Sequence, residues 1–368
     1  MKLIPLLEVQ SQLKAGAPLP FSIRDSEGKL LLARGHMVDD DAVRSILLER
    51  GASVDMEEVH PQRRGEAIAP PSENIPGKWH QLQTRATVAL RPPHGEDLID
   101  RVKDLGTQML ALVERDTDLV LYLTLRAARD PGVQYGVLHA MQVAVVCALL
   151  ARRMGWPPER QASVVGAALT MNLSIIELQS RLAGSSQPLT QAQREVMDAH
   201  PQAGAEILRK AGLDDAEWLR AVELHHAPPA GTEPQPEADE TTRLLRLVDA
   251  YCTRITDRPD TIIASPALAA KDLFAQHAKD PFALHLVKEL GLYPPGCFVR
   301  TASGETAVVL RRGASANAPL VAALTNKRGD ALQTPIRRDT GLLADHAIAA
   351  VVPDKEVKVR VPAMQLYG

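Results

Sequence analysis

Five side chains could do chemistry: His139, His200, the adjacent pair His225 and His226, and Asp249. Imidazole and carboxylate are donors that suit borderline or hard divalent cations. Each also has a plainer role. His139 falls on the inner face of an apolar helix, where a backbone or side-chain partner would satisfy it. His200 immediately precedes Pro201, where an imidazole can serve as a helix-start residue. His225 and His226 fall at a helix end, a place that favours polar or cationic groups. Asp249 follows the apolar run Leu244-Leu245-Arg-Leu-Val248, and a carboxylate buried there needs a partner, which Arg258 or one of the histidines would supply. Cys147, Cys252 and Cys297 are far apart and match neither a CxxC motif nor a disulfide framework, so they read as small buried side chains in a reducing compartment.

The elements that must hold these groups are mainly helical. From about Lys78 to Leu292 apolar residues recur at helical spacing, which predicts a bundle. One helix runs from Val137 to Met154 and stops at Gly155, with Pro157 and Pro158 beyond it. Thr190 and Gln193 form a capping box that opens a helix toward Val196 and Met197. Pro201 then starts a separate helix over Gln202 to Ala211, stopped by Gly212. After Pro294-Pro295-Gly296 the pattern becomes short β-rich runs, at Cys297 to Arg300, Thr306 to Arg311 and Leu320 to Leu324. Before the bundle, two apolar runs flank a polar turn at Ser26, Glu27 and Gly28, a hairpin pattern. Asp39 to Asp41 can cap a short helix through Ile46, Leu47 and Leu48, stopped by Gly51, with a strand at Ala52 to Asp55. The stretch from about Pro61 to Gly77, with Pro70-Pro71, reads as a linker. The expected plan is therefore a small α+β module over 1–58, a linker over 59–77, a helical domain over 78–292 and a β-rich subdomain over 293–368.

Composition narrows the function classes. With 42 Lys+Arg against 45 Asp+Glu the net charge is only -3, so no cationic field exists to attract a nucleic-acid polymer or an anionic membrane. Aromatic residues make up 3%, which leaves little material for base stacking. Neither a signal-peptide pattern nor an apolar run of roughly 20 residues stands out, so a cytoplasmic protein without a membrane span is expected.

At His139 through Leu292 the chain resembles the HD-GYP branch of the HD phosphohydrolase superfamily. Thr190 to Leu208, TQAQREVMDAHPQAGAEIL, is similar to the family segment built around H-P-x-x-G. His225-His226 resembles its His-His pair. Leu247 to Pro259, LVDAYCTRITDRP, resembles its late Asp segment, and Pro294 to Arg300, PPGCFVR, resembles the tail after the bundle. The resemblance implies an HD-type helical bundle in which two or three divalent metals generate a hydroxide that attacks a phosphodiester. Carried over, the metal donors fall on His139, on Met171 and Asn172 in place of the name-giving His-Asp, on His200, on His225 and His226, and on Asp249. Met171 offers a soft thioether where the family has imidazole, and Asn172 a neutral amide where it has a bridging carboxylate. Ile175 stands where a lysine would touch the substrate phosphate, Tyr135 where some members have Glu, and the segment after His226 lacks the Gly-Tyr-Pro motif.

These departures point to a catalytically degenerate HD-GYP-like bacterial signalling or scaffold protein, tied to cyclic di-GMP pathways through protein partners. No cofactor is expected on that reading, and no catalytic residue is assigned. The alternative is a weakly active metal-dependent phosphodiesterase with one zinc, manganese or iron ion at a remnant site formed from His200, His225 and His226. A cyclic dinucleotide remains a possible ligand, with Arg258 a candidate phosphate contact.

Overall fold

The computed structural model describes residues 3–7, 9, 19–25, 28–32, 47, 51–55, 74–92, 94–127, 134–183, 185, 187–226, 239–256, 266–276 and 280–367. Contacts divide the chain into two units, Met1–Pro70 and Pro71–Gly368.

The first unit carries a four-stranded antiparallel sheet of β1 (Leu3–Pro5), β2 (Ile23–Arg24), β3 (Leu30–Leu32) and β4 (Ser53–Asp55), in the order β1-β4-β2-β3. Leu6, Phe21, Ile23 and Val54 are fully buried in its core. The hairpin read at Gly28 is present, with Arg24 opposite Leu30 and Gly28 at φ 89°, a conformation that favours glycine. β1 was not legible in the sequence. It is three residues long and ends in a proline that only an edge strand tolerates. The helix expected over 39–50 lies outside the described residues except for buried Leu47.

The second unit begins with α1 (Ile75–Leu90), inside the stretch whose composition reads as linker. Asn74 accepts from the Gly77 amide and Pro76 sits in the first turn, so the proline that looks like a breaker is a helix starter. There follow α2 (Leu98–Arg115), α3 (Thr117–Ala127), α4 (Tyr135–Arg153), α5 (Pro158–Thr170), a 3-10 turn (Leu173–Ile175), α6 (Ile176–Leu182), α7 (Gln191–Lys210), α8 (Ala216–Leu224), α9 (Glu240–Ile255), α10 (Pro266–Gln276) and α11 (Pro281–Leu290). α4 is apolar on every side and packs against α5, α6, α9 and α11, which makes it the central helix. Two stretches, Tyr135–Arg153 and Pro158–Leu182, are long and apolar enough to cross a bilayer by length and composition. That corrects the expectation of no such run; here the bundle covers 89% and 72% of their most apolar windows.

A second correction concerns α7, which runs unbroken through Pro201 instead of ending before it. The expected capping box at Thr190 and Gln193 opens it.

A five-stranded antiparallel sheet follows, from β5 (Phe298–Thr301), β6 (Thr306–Arg311), β7 (Leu320–Thr325), β8 (Ala331–Asp339) and β9 (Ile348–Val351), in the order β8-β7-β6-β5-β9. Bidentate bonds of 3.0 and 2.8 Å from Arg311 to Asp116, and of 2.6 Å from Arg312 to Asp118, tie it to the start of α3. The molecule is thus mainly α with small sheets toward both ends.

α8 packs against α5, α7 and α9, and its contact with α5 is especially close. Trp218 is buried and donates to Thr170 Oγ1 at 2.7 Å, while its ring occupies the space beside Gly166, where a Cβ would lie 2.5 Å from it. Overpacking of this kind costs about 1–3 kcal/mol. Gly166→Ala is therefore expected to lower the unfolding free energy by that amount and so to shift the urea midpoint down, and an unchanged midpoint would contradict the packing described.

Candidate functional site: a cluster of imidazoles

Pro201 has no N–H to give the carbonyl of Met197, four residues earlier in α7. His200 fills that vacancy, since its Nδ1 hydrogen-bonds the Met197 carbonyl. With Nδ1–H committed, the lone pair of a neutral ring is on Nε2. At the end of α8, His225 repeats the arrangement and donates Nδ1–H to the Val222 carbonyl at 2.7 Å. The two Nε2 atoms then face each other at 3.1 Å, both rings buried. Each is an acceptor with no proton between them.

His226 completes the group. Its ring centroid is 5.1 Å from that of His200 and 4.3 Å from that of His225, and one ligand atom from each of the three lies within 4.8 Å of the others. His226 is half exposed, so the cluster opens to solvent on that side. Burial is the main cause that lowers the pKa of His200, and burial with the neighbouring imidazoles pushes His225 down to about 3. Both rings are neutral at ordinary pH, the state a metal ligand needs. Two imidazole nitrogens bound at the usual zinc distance in a tetrahedron lie about 3.3 Å apart, close to the spacing here. The donor set therefore fits one divalent ion.

His139 and Asp249 form a second cluster. Nε2 of His139 bonds Oδ1 of Asp249 at 2.8 Å, and Oδ2 of Asp249 lies 3.9 Å from Nε2 of His226. The partner that the carboxylate needs is thus His139; Arg258 lies outside the described residues. Burial raises the Asp249 pKa, but the bond from His139 and the nearby imidazoles outweigh it and hold the group down to about 2. Tyr135, one turn before His139, stacks on it at 5.6 Å. Nδ1 of His139 is buried without a partner among the described residues.

Met171 and Asn172 link the end of α5 to the 3-10 turn and are buried, as is Ile175 in that turn. Gly204, one turn beyond His200, brings α7 against this segment: a Cβ there would lie 3.7 Å from the Met171 carbonyl. Ser174 adds a bond of 3.0 Å to the His200 carbonyl. The segment thus packs on the histidine-bearing helix but brings it no anionic side chain. Oδ1 of Asn172 is buried with no partner among the described residues. The segment after His226, which lacks the Gly-Tyr-Pro motif, lies outside them.

Two groups escaped the sequence reading. Arg246, on the same face of α9 as Asp249, bonds the carbonyls at the end of α8. Its signal was visible as a charge inside the apolar run before Asp249. Ser174 had no signal of its own.

No known family profile matches the chain. Among curated proteins, it is 26% identical over 233 residues to the cyclic di-GMP phosphodiesterase PA4108 of Pseudomonas aeruginosa, which covers 61% of this chain and 53% of that protein. The chain thus spans about half the length of that relative. Among solved structures, a likeness of TM-score 0.48 at 15% identity is found to Bd1817, an HDG"Y"P protein from Bdellovibrio bacteriovorus, over 78% of this chain and 98% of that one. The chain is thus similar in sequence, over part of its length, to a cyclic di-GMP phosphodiesterase.

The neutral buried imidazoles set the sign of a pH effect in metal-free protein. An unfolded histidine takes a proton near pH 6.5, whereas His225 in the fold does so only at about 3. Between these values the unfolded state holds the extra proton. Stability is therefore expected to fall as pH drops, by about 1.4 kcal/mol per unit from His225 alone, with His200 acting in the same direction. Urea denaturation between about pH 6.5 and 4 measures the slope. His225→Gln should flatten it, and an unchanged slope would contradict the buried neutral pair.

Proposed function

We propose that this chain is a catalytically degenerate HD-GYP-like signalling module, cytoplasmic and linked to cyclic di-GMP pathways through protein partners, that keeps one metal-binding pocket. The observation that carries the reading is the burial of Met171 and Asn172 against α7, where the family resemblance calls for an imidazole and a bridging carboxylate. A thioether and a neutral amide are poor donors for a hard ion and cannot neutralise two of them. Loss of outer groups alone commonly costs about 10–100-fold in metal affinity or activity, so loss of a bridging anion costs more. Ile175 leaves the adjoining wall without the cation that would meet a phosphate.

His200, His225 and His226 would hold the single ion, zinc, manganese or iron, with Asp249 beside them. Such an ion supplies Lewis acidity toward water or a phosphate oxygen. The chain's own part is to keep both Nε2 lone pairs free and the pocket open at His226. That convergence favours a second reading, a weakly active mononuclear phosphodiesterase.

One assay separates the two. With cyclic di-GMP and Mn2+ or Fe2+, the wild type is expected to match the background of His200→Ala. Met171→His combined with Asn172→Asp is expected to bind a second ion and to raise hydrolysis by at least about 10-fold. Wild-type turnover well above His200→Ala would establish the second reading and overturn the first.

A further inference from the structure

The last carbonyls of an α-helix have no partner within it and must find one outside. In α8 the Val222 carbonyl takes the His225 ring, and the next two to be satisfied belong to Leu224 and His225. Both accept from one side chain. Arg246 of α9 donates Nη2–H to Leu224 at 2.9 Å and Nε–H to His225 at 3.1 Å. A guanidinium suits this task because its planar fork reaches two acceptors at once, and its charge sits at the negative end of the helix dipole.

The placement of Arg246 links the two halves of the site. It lies three residues before Asp249, one turn along the same face of α9. α9 thus presents a cation to the backbone of the His225-His226 pair and a carboxylate to the rings of His139 and His226. His225 is held twice, by its ring on Val222 and by its own carbonyl on Arg246. If the carbonyl were released, the ring would no longer be forced to point Nε2 at His200. Arg209 offers a contrast, because it reaches α8 only through an exposed ion pair with Glu223 at 2.8 Å.

We infer that Arg246 is a positioning residue for the imidazole cluster: by gripping the carbonyls of Leu224 and His225 it fixes the direction in which His225 aims Nε2. Its effect on metal affinity rests on the metal-pocket reading above; its effect on the ring does not.

The experiment compares wild type, Arg246→Met, Arg246→Lys and Arg209→Met as full chains. Metal-free samples labelled with 15N at histidine report the tautomer of His225 by NMR, and titration with Zn2+ reports affinity. The wild type and Arg209→Met are expected to show a single Nδ1–H tautomer at His225. Arg246→Met should show averaged or broadened His225 signals and a Zn2+ dissociation constant raised about 10–100-fold, with Arg246→Lys between them. A wild-type His225 signal in Arg246→Met would overturn the assignment, even with a lowered thermal midpoint, because a purely structural cap would lower the midpoint alone. If the wild type takes up no Zn2+, the metal-pocket reading fails while the tautomer comparison still decides the role of Arg246. If Arg246→Met does not fold, Arg246→Lys decides it by the same signal.

Discussion

Two lone pairs that face each other at 3.1 Å, on His200 and His225, are the constraint on which the rest of the site depends. Neither ring can relieve it by changing tautomer without giving up a buried carbonyl, Met197 for one and Val222 for the other. Neither relieves it cheaply by protonation, because burial disfavours the charged form. The arrangement is stable only because the backbone imposes it. Pro201 leaves one carbonyl vacant, the end of α8 leaves another, and Gly204, Ser174 and Arg246 hold the segments close. A positive centre between the two nitrogens would turn this repulsion into binding.

The other half of the site has a different character. Nε2 of His139 and Oδ1 of Asp249 bond each other at 2.8 Å, which pairs two polar groups buried on neighbouring helices, while Nδ1 of His139 has no partner among the described residues. Next to α7, Met171 and Ile175 extend the apolar interior, and Asn172 adds a neutral amide. One side of the pocket thus keeps atoms free to bind, while on the other the polar atoms bind each other or carry no charge. Asp249 touches both sides, since one oxygen meets His139 and the other lies toward His226.

The architecture was legible where physics is local. The apolar pattern marked α4, glycine marked the hairpin at Gly28, and Thr190 with Gln193 marked the start of α7. Clustering of His200, His225 and His226 followed from the order of motifs, not from any local rule. The continuity of α7 was misread, because proline normally breaks a helix and nothing in the sequence says that a histidine ring will take the carbonyl it leaves. α1 was cut short for the same reason: Pro76 resembles linker until Asn74 is seen to cap the helix. β8 escapes the pattern because a half-exposed edge strand carries mixed polar residues without strong alternation, and β9, Ile-Ala-Ala-Val, because four residues with two alanines carry too little signal. Asp249 was rightly read as a carboxylate needing a partner, but the choice of His139 is a fact of tertiary packing, 110 residues away in sequence.

Crystals of the full chain soaked in zinc, with anomalous diffraction at the zinc edge, put the central claim to its most direct trial. The account predicts one peak, bounded by Nε2 of His200 and His225 and by the ring of His226, and no ion ligated by Asn172. Two ions bridged through Asn172, or an empty imidazole cluster at saturating zinc, would contradict it.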